Sequence, residues 1–179
     1  MNYGYYPGCS LERNAAAYDI SARAVAVALG FGLDEIEDWN CCGATEYIAI
    51  NKLAAYALVG RNLALAQKQL RGSGSGHAAP DGGAQLVAPC SACFLNLRKA
   101  ARYLQEDEFL SSKINEALAA GGLHYDPGTI RVRHLLDVVV NDIGYDEIKR
   151  RVTKSLAGLR VAPYYGCLIV RPRLGGELS

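Results

Sequence analysis

With 179 residues, half of them apolar, the chain carries enough hydrophobic material for one packed core, which excludes the disordered classes. Nineteen Lys and Arg stand against 18 Asp and Glu, so neither a nucleic-acid-binding stripe nor an acidic tail is indicated. No apolar run reaches bilayer-spanning length, and any membrane association is expected to go through a partner.

Residues 2–6 read as a short strand that runs into the turn Pro7-Gly8-Cys9. Residues 12–29 are Ala-rich with apolar positions at helical spacing and are closed by Gly30 and Gly32, which predicts a helix. A second strand is expected over 33–39, carrying Ile36 and Trp39, before the turn Cys41-Cys42-Gly43 feeds a long helix over about 45–70. The Gly- and Ser-rich stretch 72–83 has the composition of a flexible loop. A third strand at 85–88 is broken by Pro89, and Cys90 starts a helix that runs to 104. Strand, cysteine turn and helix thus follow one another three times. The fold class expected is α/β, with short parallel strands, flanking helices and the cysteine turns at strand-to-helix junctions. In such a sheet these junctions gather at the carboxyl edge of the strands, where ligands usually bind. Helix N-termini at that edge favour thiolate over thiol.

The six cysteines are Cys9, Cys41, Cys42, Cys90, Cys93 and Cys167. The first five come from three distant turns and read as one metal site, because thiolates gathered in this way hold iron or zinc. A disulfide framework is the first competitor. It is disfavoured because the N-terminus reads as strand and turn rather than a secretory leader, which points to a reducing, cytoplasmic setting, and because adjacent cysteines pair badly. A zinc site using four of the five, with a structural or interaction role, stays open. So does a thiol–disulfide exchange motif made of Cys90-Ser91-Ala92-Cys93 alone. Two neighbouring cysteines suit a multi-iron cluster better than the tetrahedron of one zinc ion. His77 falls in the Gly/Ser loop, His124 in a Gly-rich turn, and His134 heads a helix over 135–143; all three read as ordinary histidines rather than ligands.

Towards the C-terminus, Tyr164-Tyr165-Gly166-Cys167 echoes Tyr5-Tyr6-Pro7-Gly8-Cys9, each after a short apolar segment, which is the mark of an internal duplication. The expected organisation is a first cysteine-rich domain over 1–156, containing the loop 72–83, and the start of a second, incomplete repeat over 157–179. Only 12 residues follow Cys167. The apolar segment 159–165 reads as a strand and is expected either to be covered by a second copy or a subunit carrying the complementary half, or to belong to a truncated product with little disulfide reductase activity of its own.

Taken together, Tyr5-Tyr6-Pro7-Gly8-Cys9-Ser10, Asp38-Trp39-Asn40-Cys41-Cys42-Gly43-Ala44, Ala88-Pro89-Cys90-Ser91-Ala92-Cys93 and Val161-Ala162-Pro163-Tyr164-Tyr165-Gly166-Cys167-Leu168 resemble the cysteine-rich family named for its Cys-Cys-Gly motif, and most closely the B subunits of heterodisulfide reductases. The resemblance implies an oxidoreductase that reduces a small-molecule disulfide through a non-cubane [4Fe-4S] cluster, with cluster-based catalysis and the catalytic side chains unknown. It implies Cys9, Cys41, Cys42, Cys90 and Cys93 as ligands of that cluster and Cys167 as a possible ligand of a second one. The partners implied are an iron–sulfur C subunit and a flavin-bearing A subunit, in keeping with the lack of any Gly-x-Gly-x-x-Gly in the chain. Two departures stand out. The interval from Cys42 to Cys90 is longer than the family pattern by about the length of the Gly/Ser loop, and a second Cys-Cys-Gly group is not present.

Overall fold

Strands β1 (Asn2–Tyr5), β2 (Gly32–Glu35), β3 (Ala84–Ala88) and β4 (Ile130–His134) form one sheet in the order β2-β1-β3-β4, and every neighbouring pair is parallel. The structure is a computed structural model that describes residues 1–44, 46–72, 84–162 and 167–169. The helices are α1 (Cys9–Glu12), α2 (Ala16–Leu29), α3 (Tyr47–Ile50), α4 (Lys52–Gly72), α5 (Ser91–Glu106), α6 (Glu108–Ala119), α7 (Leu135–Asp137) and α8 (Tyr145–Arg151). A π-helical segment, Val138–Ile143, continues α7. The expected α/β class with parallel strands and flanking helices is the one found.

Several boundaries differ from the sequence pattern. The helix expected over 12–29 is split at Arg13–Ala15 into α1 and α2, so that Cys9 opens a short turn of helix of its own. Helix α2 closes in a Schellman arrangement in which the N–H groups of Gly30 and Phe31 bond the carbonyls of Val27 (3.1 Å) and Ala26 (3.0 Å). The strand expected over 33–39 stops at Glu35, and Ile36 is buried just beyond it. The long helix expected from about 45 is interrupted at Asn51, whose extended backbone (φ −148°) separates α3 from α4 and whose side chain accepts the Ala54 N–H at 3.0 Å. Strand β4 was not anticipated from sequence, although Asp126-Pro127-Gly128 gives a turn signal before it and its apolar positions alternate with Arg131 and Arg133.

Alternation along the strands builds two cores. Tyr6, Leu86 and Ala88 face α4, α5 and α6 and join Val59, Leu63, Phe94, Leu97, Ile114 and Ile130 in the larger cluster. Tyr3 and Val87 point the other way and pack with Ala22, Ala26, Phe31, Leu135 and Val138. On this second face Arg133 of β4 is buried among polar partners. Its guanidinium meets Asp137 (2.6 Å), Asp142 (2.6 and 2.9 Å) and Gln85 (2.9 Å), and Asp142 also accepts the Tyr3 hydroxyl at 2.5 Å.

Residues 157–162 are irregular and exposed, with Leu159 and Val161 facing solvent rather than forming the expected strand. Cys167–Ile169 form a 3₁₀ turn against α5. The Gly/Ser loop with His77, the Pro163–Gly166 portion of the C-terminal echo, and the Cys167 side chain lie outside the described residues.

Candidate metal centre

The parallel sheet carries the three cysteine turns to one edge. β1 ends into Gly8-Cys9, β2 leads through residues 36–40 to Cys41-Cys42, and β3 ends at Pro89-Cys90, with Cys90 the N-cap of α5 and Cys93 within its first turn. Cys9 and Cys41 are exposed, Cys90 is half-buried, and Cys42 and Cys93 are buried. The sulfurs come as contacts. Cys9 Sγ lies 3.4 Å from Cys41 Sγ, and Cys42 Sγ lies 3.4 Å from Cys93 Sγ. Cys93 also hydrogen-bonds to Cys90, so the buried thiols run Cys42, Cys93, Cys90.

Electrostatics divides these thiols into two kinds. The hydrogen bond to Cys93 brings the Cys90 thiol down to about 6, helped by the N–H groups of Cys93 and Ala92 at the helix start and opposed by burial. The same partner, with the Ala44 N–H and the Asn96 amide, pulls Cys42 below the ordinary thiol range. Cys93, which hydrogen-bonds both neighbours, is pushed up and keeps its proton. Cys9 is also raised, first by its hydrogen bond to Cys41 and then by burial.

Two glycines are required by this packing. Gly8 sits at φ 77°, and a β-carbon there would lie 2.8 Å from Cys93 Sγ. Gly43 also sits at φ 77°, where a β-carbon would meet that of Tyr47 at 2.8 Å. From sequence, Gly43 reads as a residue that lets backbone approach a cluster; in the structure its left-handed conformation and the Tyr47 contact decide the matter.

Loop 36–44 has no regular structure, and side chains hold its backbone. Gln69 of α4 accepts the Glu37 N–H (2.9 Å) and donates to the Glu35 carbonyl (2.8 Å). Arg61 donates to the Asp38 carbonyl at 2.6 Å. Asn62 bonds both the N–H and the carbonyl of Asn40 at 2.9 Å, and the Tyr6 hydroxyl donates to that carbonyl at 2.7 Å. Asn40 donates in turn to the Cys41 carbonyl (3.0 Å), and Asn96 of α5 holds the carbonyls of Cys42 (3.2 Å) and Ala44 (2.5 Å). The Gly43 N–H points at Cys41 Sγ, 3.4 Å away.

None of Tyr6, Asn40, Asn62 or Asn96 was singled out from sequence as part of the site. Asn62 left a trace: it is a polar residue in the buried stripe of α4 that runs through Ala55, Tyr56, Val59, Leu63, Ala66 and Leu70. His134 heads the helical segment 135–143, as its sequence suggests. Its partner in the sheet register is Ala88, two residues before Cys90; its ring packs edge-on against Phe94 at 5.5 Å, and its Nδ1 accepts the Leu136 N–H at 3.1 Å as the cap of α7. His124 lies by Asp126, 3.1 Å away and apart from the cysteines.

Beside Cys42 a small open depression is walled by Tyr47, Ile48, Ala55, Tyr56 and Val59, with Asn96 and Lys99 as its polar members. The donor set fits a thiophilic metal group: five sulfurs, two of them drawn towards thiolate, at one sheet edge. Among the described residues no three His, Cys, Asp or Glu side chains are arranged around a point that a single ion could occupy.

Residues 3–98, more than half of the chain, match the family described as CCG, the cysteine-rich domain. The chain belongs to this family. Its relatives include the membrane anchor subunit of the 8-methylmenaquinol:fumarate reductase of Wolinella succinogenes, 36% identical over 179 residues, covering 99% of this chain and 57% of that protein. A protein of Archaeoglobus profundus named as like the B subunit of heterodisulfide reductase is 27% identical over 96% of this chain and 53% of its own length. The B subunit of the ferredoxin/F(420)H(2)-dependent CoB-CoM heterodisulfide reductase of Methanosarcina acetivorans is 23% identical over 93% and 51%. The chain therefore spans little more than half the length of the curated relatives it matches. A crystal structure of a hypothetical protein from Helicobacter pylori shares the fold, with a TM-score of 0.61 at 17% identity over 77% of this chain and 25% of that one. Family members so named are subunits of oxidoreductases. Among the described residues no helix is long and apolar enough to cross a membrane.

Proposed function

We propose that Cys9, Cys41, Cys42, Cys90 and Cys93 hold an iron–sulfur cluster, a non-cubane [4Fe-4S] cluster as the sequence resemblance implies, and that the chain is the cysteine-rich part of a disulfide reductase of the heterodisulfide reductase B type. The observation that carries this reading is the gathering of five thiols from three strand-to-helix junctions at one sheet edge, as the pair Cys9–Cys41 and the run Cys42, Cys93, Cys90, with the two adjacent cysteines turned to different partners: Cys41 to Cys9 and Cys42 to Cys93. One zinc ion takes four donors around a single point, whereas a polynuclear cluster takes thiolates that stand apart.

When bound, such a cluster supplies electrons one at a time. Reduction of a disulfide consumes two electrons and two protons and releases two thiols. The protein contributes the lowered Cys90 and Cys42 thiols as anionic donors, the backbone N–H groups at the start of α5, and the apolar surface of the depression beside Cys42, with Asn96 and Lys99 as its polar members. The domain organisation that goes with this reading is a first cysteine-rich unit over 1–156 and the start of a second from 157, with Cys167 a ligand of a second cluster. Its partners are an iron–sulfur C subunit and a flavin-bearing A subunit in the cytoplasm. The names of the Archaeoglobus and Methanosarcina relatives support this assignment.

The depressed Cys90 thiol beside protonated Cys93 also favours a second reading, a simple dithiol that exchanges with disulfides without metal. Anaerobic purification followed by iron, acid-labile sulfide and zinc analysis separates the two. The expected outcome is a brown protein carrying iron and sulfide, most of which is lost in Cys41→Ser and in Cys42→Ser. Full iron loading of the double variant, or a colourless chain with a reversible dithiol, overturns the cluster.

A further inference from the structure

Asn62 is an amide buried to 1% exposure on the apolar face of α4, and Tyr6 is a phenol buried completely. Burying such groups costs free energy unless their hydrogen bonds are made, and both spend theirs on the backbone of one residue, Asn40. Asn62 Oδ1 accepts the Asn40 N–H, while Asn62 Nδ2 and Tyr6 Oη both donate to the Asn40 carbonyl, at 2.9, 2.9 and 2.7 Å. The two lone pairs of that oxygen are thereby filled, which fixes the plane of the peptide leading directly into Cys41. We propose that Asn62 and Tyr6 are positioning residues for the Cys41–Cys42 pair, acting through the Asn40 carbonyl to set where the two sulfurs meet the metal group.

The role is separable from holding the loop in place. Upstream, Gln69 and Arg61 anchor residues 35–38 independently, and downstream Asn96 anchors Cys42 and Ala44. Asn40 is tied through its side chain to the Leu58 carbonyl (3.1 Å) and to Arg61 (3.1 Å), but among the described residues the side chains that donate to its backbone carbonyl are Tyr6 and Asn62. The Tyr6 ring is also wedged edge-on against Trp39 at 5.3 Å, so Tyr6→Phe removes one hydroxyl and leaves the packing. Residues that orient ligands in this way change metal affinity by about 10–100-fold when altered.

The inference rests on the cluster reading, and its test is built to fail separately. Tyr6→Phe, Asn62→Leu and the double variant are made in the full chain, loaded anaerobically, and challenged with a ferrous chelator. Each single variant is expected to keep its circular dichroism, to lose iron about 10-fold or more faster than the parent, and to show a shifted electron paramagnetic resonance spectrum. Because both act on one oxygen, the double variant should fall well short of the product of the single effects. Unchanged retention and spectrum in Tyr6→Phe, or effects that multiply, overturn the proposal even if Asn62→Leu fails to fold. Should the parent bind no iron, the cluster reading falls, and the positioning claim is read from alkylation of the metal-free chain: iodoacetamide should label Cys41 and Cys42 at altered rates in Tyr6→Phe, and unchanged rates overturn it.

Discussion

Two buried polar constructions sit on opposite faces of the sheet, and they are made differently. At the cysteine edge the loop 36–44 is held mainly by neutral amides and a phenol: Asn40, Asn62, Asn96, Gln69 and Tyr6, with Arg61 as the one cation. On the α2 face the hub is a cation, Arg133, 6% exposed and gripped by two carboxylates. The difference matches what each must tolerate. Apart from the Arg61–Asp38 ion pair, these clamps bring no net charge beside thiols drawn towards thiolate, whereas full charges help to stitch β1, β3, β4 and the π-helical segment together where only packing is at stake.

The largest effect on stability should come from breaking the charged construction. Arg133→Met leaves Asp137 and Asp142 largely buried without their counter-ion, and losing one partner of such a pair costs about 3–5 kcal/mol. The carboxylates keep side-chain exposures of 17% and 21%, so the low end is expected, about 3 kcal/mol. In a chain of this size that lowers the melting temperature by roughly 6–12 °C, measurable by calorimetry. A drop under 2 °C would show that the hub is replaceable by apolar contact.

The two constructions should also part in their response to acid. For Asp137 and Asp142, burial raises the carboxyl pKa, but the hydrogen bonds and charge of Arg133 outweigh it and hold both below the ordinary range. A depressed folded pKa means that the unfolded chain binds more protons. The stabilisation is therefore complete above the ordinary aspartate value of about 3.9 and disappears as pH falls through the folded values. His134 adds an earlier limb with the same sign: burial lowers its pKa, so its contribution is present above about 6.5 and declines as the pH falls further. Urea midpoints from about pH 7 to 2 should show both limbs in the parent and only the histidine limb in Arg133→Met. In Tyr6→Phe the whole curve should shift down evenly, because no charge is removed. A Tyr6→Phe penalty that grows with acid would place an ionisable group in the neutral clamp.

How legible these regions were in the sequence follows from the same contrast. The cysteine turns and three of the four strands could be read because Gly, Pro and Cys punctuate them and the apolar runs between have clear periods. The metal edge then followed from parallel topology, without any knowledge of side-chain contacts. The clamps could not be read, since Asn62 reaches Asn40 across 22 positions and its role depends on how α4 lies along the loop. β4 and its hub were hidden for a related reason. Arg131 and Arg133 look like a solvated strand face or loop, and nothing local tells that Asp142, nine residues on, returns to bury one of them. Helix breaks at Arg13–Ala15 and Asn51 lay below the resolution of a periodicity argument, because the apolar spacing continues across both.

The smallest effect sharpens the comparison by repeating the hub's chemistry in water. Arg102 and Glu106 form an ion pair at 2.7 Å one turn apart on α5, with side-chain exposures of 39% and 53%. Their separation is almost that of Arg133 and Asp137, 2.6 Å, yet solvent already satisfies both charges, and ordering two long side chains costs entropy. Arg102→Ala should therefore cost no more than about 0.5 kcal/mol, and the loss should shrink further in 1 M salt, where the Debye length is about 3 Å. The Arg133→Met loss should hardly respond to salt, because its partners are shielded by the protein. Equal penalties at the two sites, or equal salt dependence in denaturant midpoints, would mean that the hub is as wet as the surface pair, and the contrast between the two faces of the sheet would have to be drawn on packing alone.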